Sequence, residues 1–379
     1  MRSNYSRHAS RTTACAVCLI LFVTAILSAC NGSALPQARV WFIAYDKGQA
    51  TYQIRVLDTQ TATDQVILVV PPKTQIVWGS ISPNGRYLSY VLADLQTEAF
   101  SLWLATSEGR QTQQIYGPEG GIAPYWLNND NLLIYYKHDP SSPTDNHWTR
   151  YNLPSQSLQS LDPNSPIYVC ASGHSNDTLP WVATYGKDSI ILGHFVLKQE
   201  NLTQIPVLTM DLRETSIGGR SCLSWSRDGQ YAAFAGVKKG ANSSEVFVQD
   251  HASTSVRQLT SFEKLPDGAY LDAIAVSPDG KSIIVGKTTL LGGNSNQDSL
   301  GLIRTDGGAI TTLASRRVLG DFFWSSDNRF VFAKLKPLDA ARSSQRGALY
   351  QIDTQTGNLK QLTMDTDLIQ IIDVRSSNR

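Results

Sequence analysis

Strong charge is missing from this sequence. Only 17% of its 379 residues are charged and the formal net charge is +1, so no basic field argues for a nucleic-acid partner. Histidine is scarce: His8, His138, His147, His174, His194 and His251 form no HxH or HExxH spacing, and no metal centre is expected from them. Asp130, Asp139 and Asp145 lie near His138 and His147 in sequence, a grouping that reads as a solvated loop, with a Ca²⁺ or Zn²⁺ site as the lesser alternative. No phosphate-cradling loop is present, since Gly292-Gly293-Asn-Ser-Asn296 lacks both GK[ST] and a following helix. A serine nucleophile elbow is missing too: Gly173-His-Ser175-Asn-Asp177 and Gly219-Arg-Ser221-Cys-Leu223 each lack the closing glycine. No ten-residue stretch beyond the leader shows a helical period with caps. What remains is an ordinary globular composition, 41% hydrophobic, with no catalytic motif and no cofactor signature.

The first thirty residues differ from the rest. Arg2, Arg7 and Arg11 precede an apolar run from Ala14 to Leu27, with no acid before Cys30. The run is too short for a comfortable membrane span and ends in small residues, which reads as a secretory signal. Leu27-Ser28-Ala29-Cys30 resembles the bacterial lipobox. The resemblance implies cleavage between Ala29 and Cys30 and lipid attachment to Cys30. Residues 1–29 are then a lipoprotein signal peptide and 30–39 a lipidated tether, roughly 30 Å long at full extension. The expected location is the extracytoplasmic face of the cell membrane or of an outer membrane.

Cysteine is sparse as well. Cys15 and Cys18 fall in the signal and Cys30 carries lipid, leaving Cys170 and Cys222. A pair in an oxidising compartment suggests a disulfide. Both occupy the same place in adjacent repeats, however, where side chains point alike rather than at each other; two buried thiols are the other reading.

The repeat organises the remainder. Ile81-Ser-Pro-Asn-Gly85, Trp225-Ser-Arg-Asp-Gly229 and Val276-Ser-Pro-Asp-Gly280 share one pattern, and Trp324-Ser-Ser-Asp-Asn328 varies it. Trp126, Gly173 and Val374 are fainter anchors. Successive anchors are 45, 47, 52, 51, 48 and 50 residues apart, a period of solenoids and propellers. Three strand-like runs follow each anchor, rich in β-branched and aromatic residues and separated by Gly, Asn, Asp and Ser. Four antiparallel strands per period is a propeller blade. The Asp-Gly pair fits a turn needing one residue at positive φ. Val40–Tyr45, Thr51–Asp58 and Gln65–Val70 lack a first strand, and Leu368–Val374 is a first strand without followers. Joining them predicts an all-β, seven-bladed propeller over residues 40–379, closed by the C-terminal strand on the N-terminal blade. Six or eight blades also fit, because the fourth period is divergent and Pro180 is expected to disrupt its second strand.

These Ser-x-Asp/Asn-Gly repeats resemble the WD40-like repeats of the TolB β-propeller family, and the propellers of the dipeptidyl peptidase IV and prolyl oligopeptidase families. The resemblance implies the propeller fold. It does not extend to the α/β domain that precedes the propeller in TolB.

Connections between strands two and three are expected to be long at Lys137–Asn146, Thr288–Asp298 and Leu335–Arg346, on the face shared with the blade-to-blade links. Long loops on a rigid scaffold are where binding concentrates. Tyr135, Tyr136, Trp148, Arg342 and Arg346 are therefore the candidate binding residues. The expected function is a membrane-anchored, non-enzymatic binding or scaffolding module for a protein, peptide or glycan. The rival is a propeller enzyme (hydrolase, lyase or lactonase) with its site at the central channel.

Overall fold

The computed structural model describes residues 37–138, 147–161, 168–169, 178–185, 190–198, 201–210, 223–236, 243–250, 256–262, 269–290, 296–336, 347–363 and 367–376. The described residues all belong to one compact unit, Gln37–Arg379. Ala29, Cys30, Cys170, Cys222, Arg342 and Arg346 lie outside them.

Every element among the described residues is a β-strand, and the strands form four-stranded antiparallel sheets. The first sheet contains β1 (Ala38–Asp46), β2 (Thr51–Asp58) and β3 (Thr63–Val69). The second is β4 (Thr74–Ile81), β5 (Tyr87–Asp94), β6 (Phe100–Thr106) and β7 (Gln113–Glu119). The third is β8 (Gly121–Trp126), β9 (Asn131–Lys137), β10 (His147–Asn152) and β11 (Ser157–Leu161). The fourth is β12 (Tyr168–Val169), β13 (Thr178–Tyr185), β14 (Ile190–Lys198) and β15 (Asn201–Met210). Then come β16 (Leu223–Trp225), β17 (Tyr231–Gly236), β18 (Glu245–Asp250) and β19 (Val256–Gln258). The next sheet is β20 (Ala269–Val276), β21 (Ser282–Leu290), β22 (Asn296–Arg304) and β23 (Thr311–Ala314). The next is β24 (Val318–Trp324), β25 (Phe330–Leu335), β26 (Ala348–Asp353) and β27 (Leu359–Gln361). The last strand, β28 (Asp367–Ser376), returns to the first sheet, which runs β28-β1-β2-β3. Its pairing with β1 runs from Ala38↔Ser376 to Tyr45↔Asp367.

The repeated turn joins strands one and two by the same bonds each time. Ser82 Oγ donates to Asn84 Oδ1 at 2.8 Å and accepts from Tyr87 N at 3.0 Å. Ser226 with Asp228 and Tyr231, Ser277 with Asp279 and Ser282, and Ser325 with Asp327 and Phe330 repeat this arrangement. The position after the Asp or Asn sits at φ 77° in Gly85, 71° in Gly229, 70° in Gly280 and 62° in Asn328. Only Gly takes that region without cost, and Asn tolerates it best among the others.

Burial follows strand order within a sheet. The second strands are covered on both faces by neighbouring sheets: Leu88–Ala93 of β5 and all six residues of β25 are buried. Such strands read as continuous apolar runs rather than alternations. Outermost strands β3 and β11 are largely exposed and more polar. The apolar clusters lie between successive sheets. Val331, Ala333 and Leu335 meet Ala273, Ile284 and Leu300, while Phe330 and Phe332 on the opposite face meet Val40, Phe42 and Leu368.

Tryptophans at the repeat anchors stitch one sheet to the next. Trp126 Nε1 donates to the Ser80 carbonyl at 3.4 Å, and Trp324 Nε1 to the Ala275 carbonyl at 3.1 Å. Ser80 and Ala275 immediately precede the anchors Ile81 and Val276 of the preceding repeats. One indole thus buries its ring and bonds to the neighbouring first strand.

Three boundaries differ from expectation. β21 and β22 stay paired to Leu290↔Asn296, so the long connection expected over Thr288–Asp298 is only residues 291–295. Thr288 Oγ1 donates to Asp298 Oδ1 at 2.8 Å across the pair, extending the ladder through polar residues. Pro180 does not disrupt its strand: it lies inside β13, where the register shifts between Leu179 and Val182. A bulge accommodates a residue without a donor. β1 begins at Ala38 rather than Val40, tied by Thr59 N to the Ala38 carbonyl at 2.9 Å and Ala38 N to Thr59 Oγ1 at 3.1 Å.

Candidate functional site

Strand direction defines two faces. The turn face carries the connections between strands one and two and between three and four. The loop face carries the connections between two and three and the links from sheet to sheet. On the loop face, the third sheet gathers two histidines, two tyrosines and a carboxylate.

β9 and β10 set the core of this group. Their register places His147 opposite Tyr136, and the rings stack at 5.1 Å with 21° between planes. His138 is two residues beyond Tyr136, so both side chains leave the same face of the sheet. Its ring meets Tyr136 edge-on at 5.2 Å and lies 5.0 Å from His147. Glu119 arrives from the last strand of the second sheet. The Gly120 amide donates to the Lys137 carbonyl at 2.9 Å, which carries the β7–β8 link past the end of β9. That brings Glu119 Oε2 to 2.5 Å from His138 Nδ1. The His138 side chain is 58% exposed and that of Glu119 only 15%, so the imidazole meets solvent while the carboxylate sits beneath it.

Tyr116 completes the floor. Its ring lies 4.9 Å from Tyr136. Burial pushes its phenol well above the ordinary tyrosine range, and hydrogen bonding to Tyr136 adds to the rise. It stays a neutral group bonded to Tyr136 and to Thr149.

The expected binding residues divide between two faces of this sheet. Tyr136 belongs to the group above. Tyr135 and Trp148 pair across β9 and β10 on the opposite face, 5.2 Å apart. Trp148 is fully buried and also packs 6.3 Å from Tyr125, so it is a packing residue with no surface to offer a partner. Burial pushes the Tyr125 phenol far up as well. Arg342 and Arg346, like the strings around Ser175 and Ser221, fall outside the described residues.

The sequence grouping of aspartates with histidines also separates. Asp130 lies in the turn-face connection before β9, where its carbonyl accepts from Leu153 N at 2.8 Å. That is the length of β9, about 26 Å, from His138. Asp139 and Asp145 are outside the described residues. Among the described residues no three His, Cys, Asp or Glu side chains converge as metal ligands, and no helix is long and apolar enough to cross a membrane. Sequence reasoning missed Glu119 and Tyr116. Both come from another repeat, and no local motif joins them to His138.

No family model matches the chain, and no curated protein does. Solved structures do. TolB from Acinetobacter baumannii matches at 14% identity and TM-score 0.50, covering 90% of this chain and 68% of that one. The fold is that of the TolB-like β-propellers. The β-propeller domain of the Trilobed protease from Pyrococcus furiosus, which has an open velcro topology, matches at 12% identity and TM-score 0.55, over 86% and 95% of the two chains. A prolyl endopeptidase gives TM-score 0.62 at 9% identity, covering 89% of this chain and 50% of that one. This chain thus spans about half the length of that peptidase.

Proposed function

We propose that the protein is a lipid-anchored, extracytoplasmic β-propeller that serves as a binding or scaffolding module for a protein, peptide or glycan partner. The sheets act as seven blades of a ring shut by the β28–β1 pairing. One observation carries the reading: the direction of β1. Ala38 pairs with Ser376 and lies at the turn-face end of its strand. With Cys30 lipidated, the chain enters the fold at that end of β1, and on this reading the turn face is the one nearer the membrane. The loop face, with His138, His147 and Tyr136, is presented outward. Two or three acyl chains make a stable anchor, at about 0.8 kcal/mol per buried methylene. Rigid blades with irregular outward connections suit recognition.

The test separates anchor from orientation. Cys30→Ala should abolish metabolic lipid labelling and release the protein from membranes; retained label overturns the anchor. In the lipidated protein, photo-crosslinkers replacing Arg86 on the turn face should reach lipid, and those replacing Lys137 on the loop face should not. Lipid adducts at Lys137 alone would reverse the orientation.

A further inference from the structure

We propose that His138 and His147 form a binding site for one divalent transition-metal ion, with Glu119 as the carboxylate that orients His138. This goes beyond the binding-module reading and does not depend on the lipid anchor.

The distances fit two imidazoles sharing an ion. A zinc–nitrogen bond is 2.0–2.1 Å and the ring centre lies about 1.1 Å beyond the nitrogen, so rings at a tetrahedral angle have centres roughly 5 Å apart. His138 and His147 are 5.0 Å apart, centre to centre. That separation is compatible with one nitrogen of each ring turning onto a shared ion; the rings are tilted by 53°.

Glu119 supplies the outer partner that histidine ligands ordinarily have. Its Oε2 accepts from His138 Nδ1 at 2.5 Å. In the neutral ring that bond favours the tautomer with its proton on Nδ1, whose Nε2 lone pair is the one a metal takes. The carboxylate is thus a positioning group and not a third ligand. His147 is held by its stack on Tyr136 and by its register across β9. Tyr136 is in turn bonded to Tyr116, whose phenol burial keeps neutral. His147 is thus backed by Tyr136 and Tyr116, while His138 is open to solvent. Water would fill the remaining coordination positions. Imidazole nitrogens select zinc, nickel or copper over magnesium or calcium, which prefer oxygen.

The experiment is calorimetric titration of the full-length protein, in detergent and without a histidine tag, with Zn²⁺, Ni²⁺ and Mg²⁺. One Zn²⁺ or Ni²⁺ per chain is expected, and no Mg²⁺. His138→Ala and His147→Ala should each abolish binding. Glu119→Gln should weaken it about 10–100-fold, the usual effect of losing an outer-shell partner. Unchanged near-ultraviolet circular dichroism in the metal-free variants establishes that the fold is intact. If a variant misfolds, His138→Gln and His147→Gln serve in its place. Absence of a stoichiometric ion, or undiminished affinity in either histidine variant, overturns the proposal. Undiminished affinity in Glu119→Gln overturns the orienting role.

Discussion

Arg375 is the residue through which the C-terminal strand grips the sheet that follows the first one. It occupies, one place after the anchor Val374, the position that Ser82, Ser226, Ser277 and Ser325 hold in their turns. Its guanidinium reaches across the chain ends, donating to the Pro83 carbonyl at 2.8 Å and the Ser82 carbonyl at 2.6 Å. Nε donates to Asp373 Oδ2 at 2.6 Å, which aims the fork. A hydrogen bond to a charged group contributes about 1.5–3 kcal/mol. The side chain is 23% exposed, so the ion pair with Asp373 adds little and water can partly replace the carbonyl bonds. Arg375→Ala should then cost about 2 kcal/mol and lower the melting temperature by roughly 3 °C. Arg375→Lys should recover less than half, because an ammonium cannot bridge two carbonyls as a planar fork does. Calorimetry measures the loss, and amide exchange locates it: protection should fall in β28 and β4 before β20–β25. A melting temperature within 1 °C of the parent, or a uniform loss of protection, would refute the reasoning.

Gly280 and Asn328 test the turn geometry from both directions. A Cβ on Gly280 would lie 2.7 Å from Tyr231 Cδ2 at φ 70°, so Gly280→Ala should destabilise by about 1–3 kcal/mol, while Asn328→Gly should change chemical-denaturation midpoints little. Asp353 predicts a pH effect. Burial alone would raise its carboxyl, but the Arg329 guanidinium and the amides of Gln355 and Thr356 outweigh burial and hold it below the usual carboxylate range. The folded state therefore binds protons less readily than the unfolded state. Stability from this group is present above the ordinary carboxylate value and is lost as pH falls through the folded value. Asp353→Asn should flatten the acid limb of the stability–pH curve; an unchanged limb would contradict the assignment.

Much of the architecture was legible because its determinants are local. A Ser two residues before Asp or Asn, and Gly next, closes the same bonds wherever it occurs, and a period near fifty residues places those turns in register. Strand content could be read from β-branched and aromatic runs, since a second strand such as β25 is buried on both sides. Irregular boundaries were less legible. Pro180 looked like a breaker, yet β13 absorbs it at a register shift. The Thr288–Asp298 segment looked like a loop, yet a Thr–Asp bond across β21 and β22 continues the ladder.

The candidate site shows the division most clearly. The sequence by itself determined that four-stranded units repeat, where their turns lie, and that Tyr135, Tyr136 and Trp148 flank an irregular connection. Only tertiary structure decided which of those rings share a face and which are buried. Alternation along a strand sends Tyr136 and His138 to one face and Tyr135 to the other, and burial removes Trp148. The Gly120–Lys137 bond between sheets delivers Glu119 to His138. A contact made by one repeat on the next has no spacing to betray it, because the distance that matters is between sheets and not along the chain.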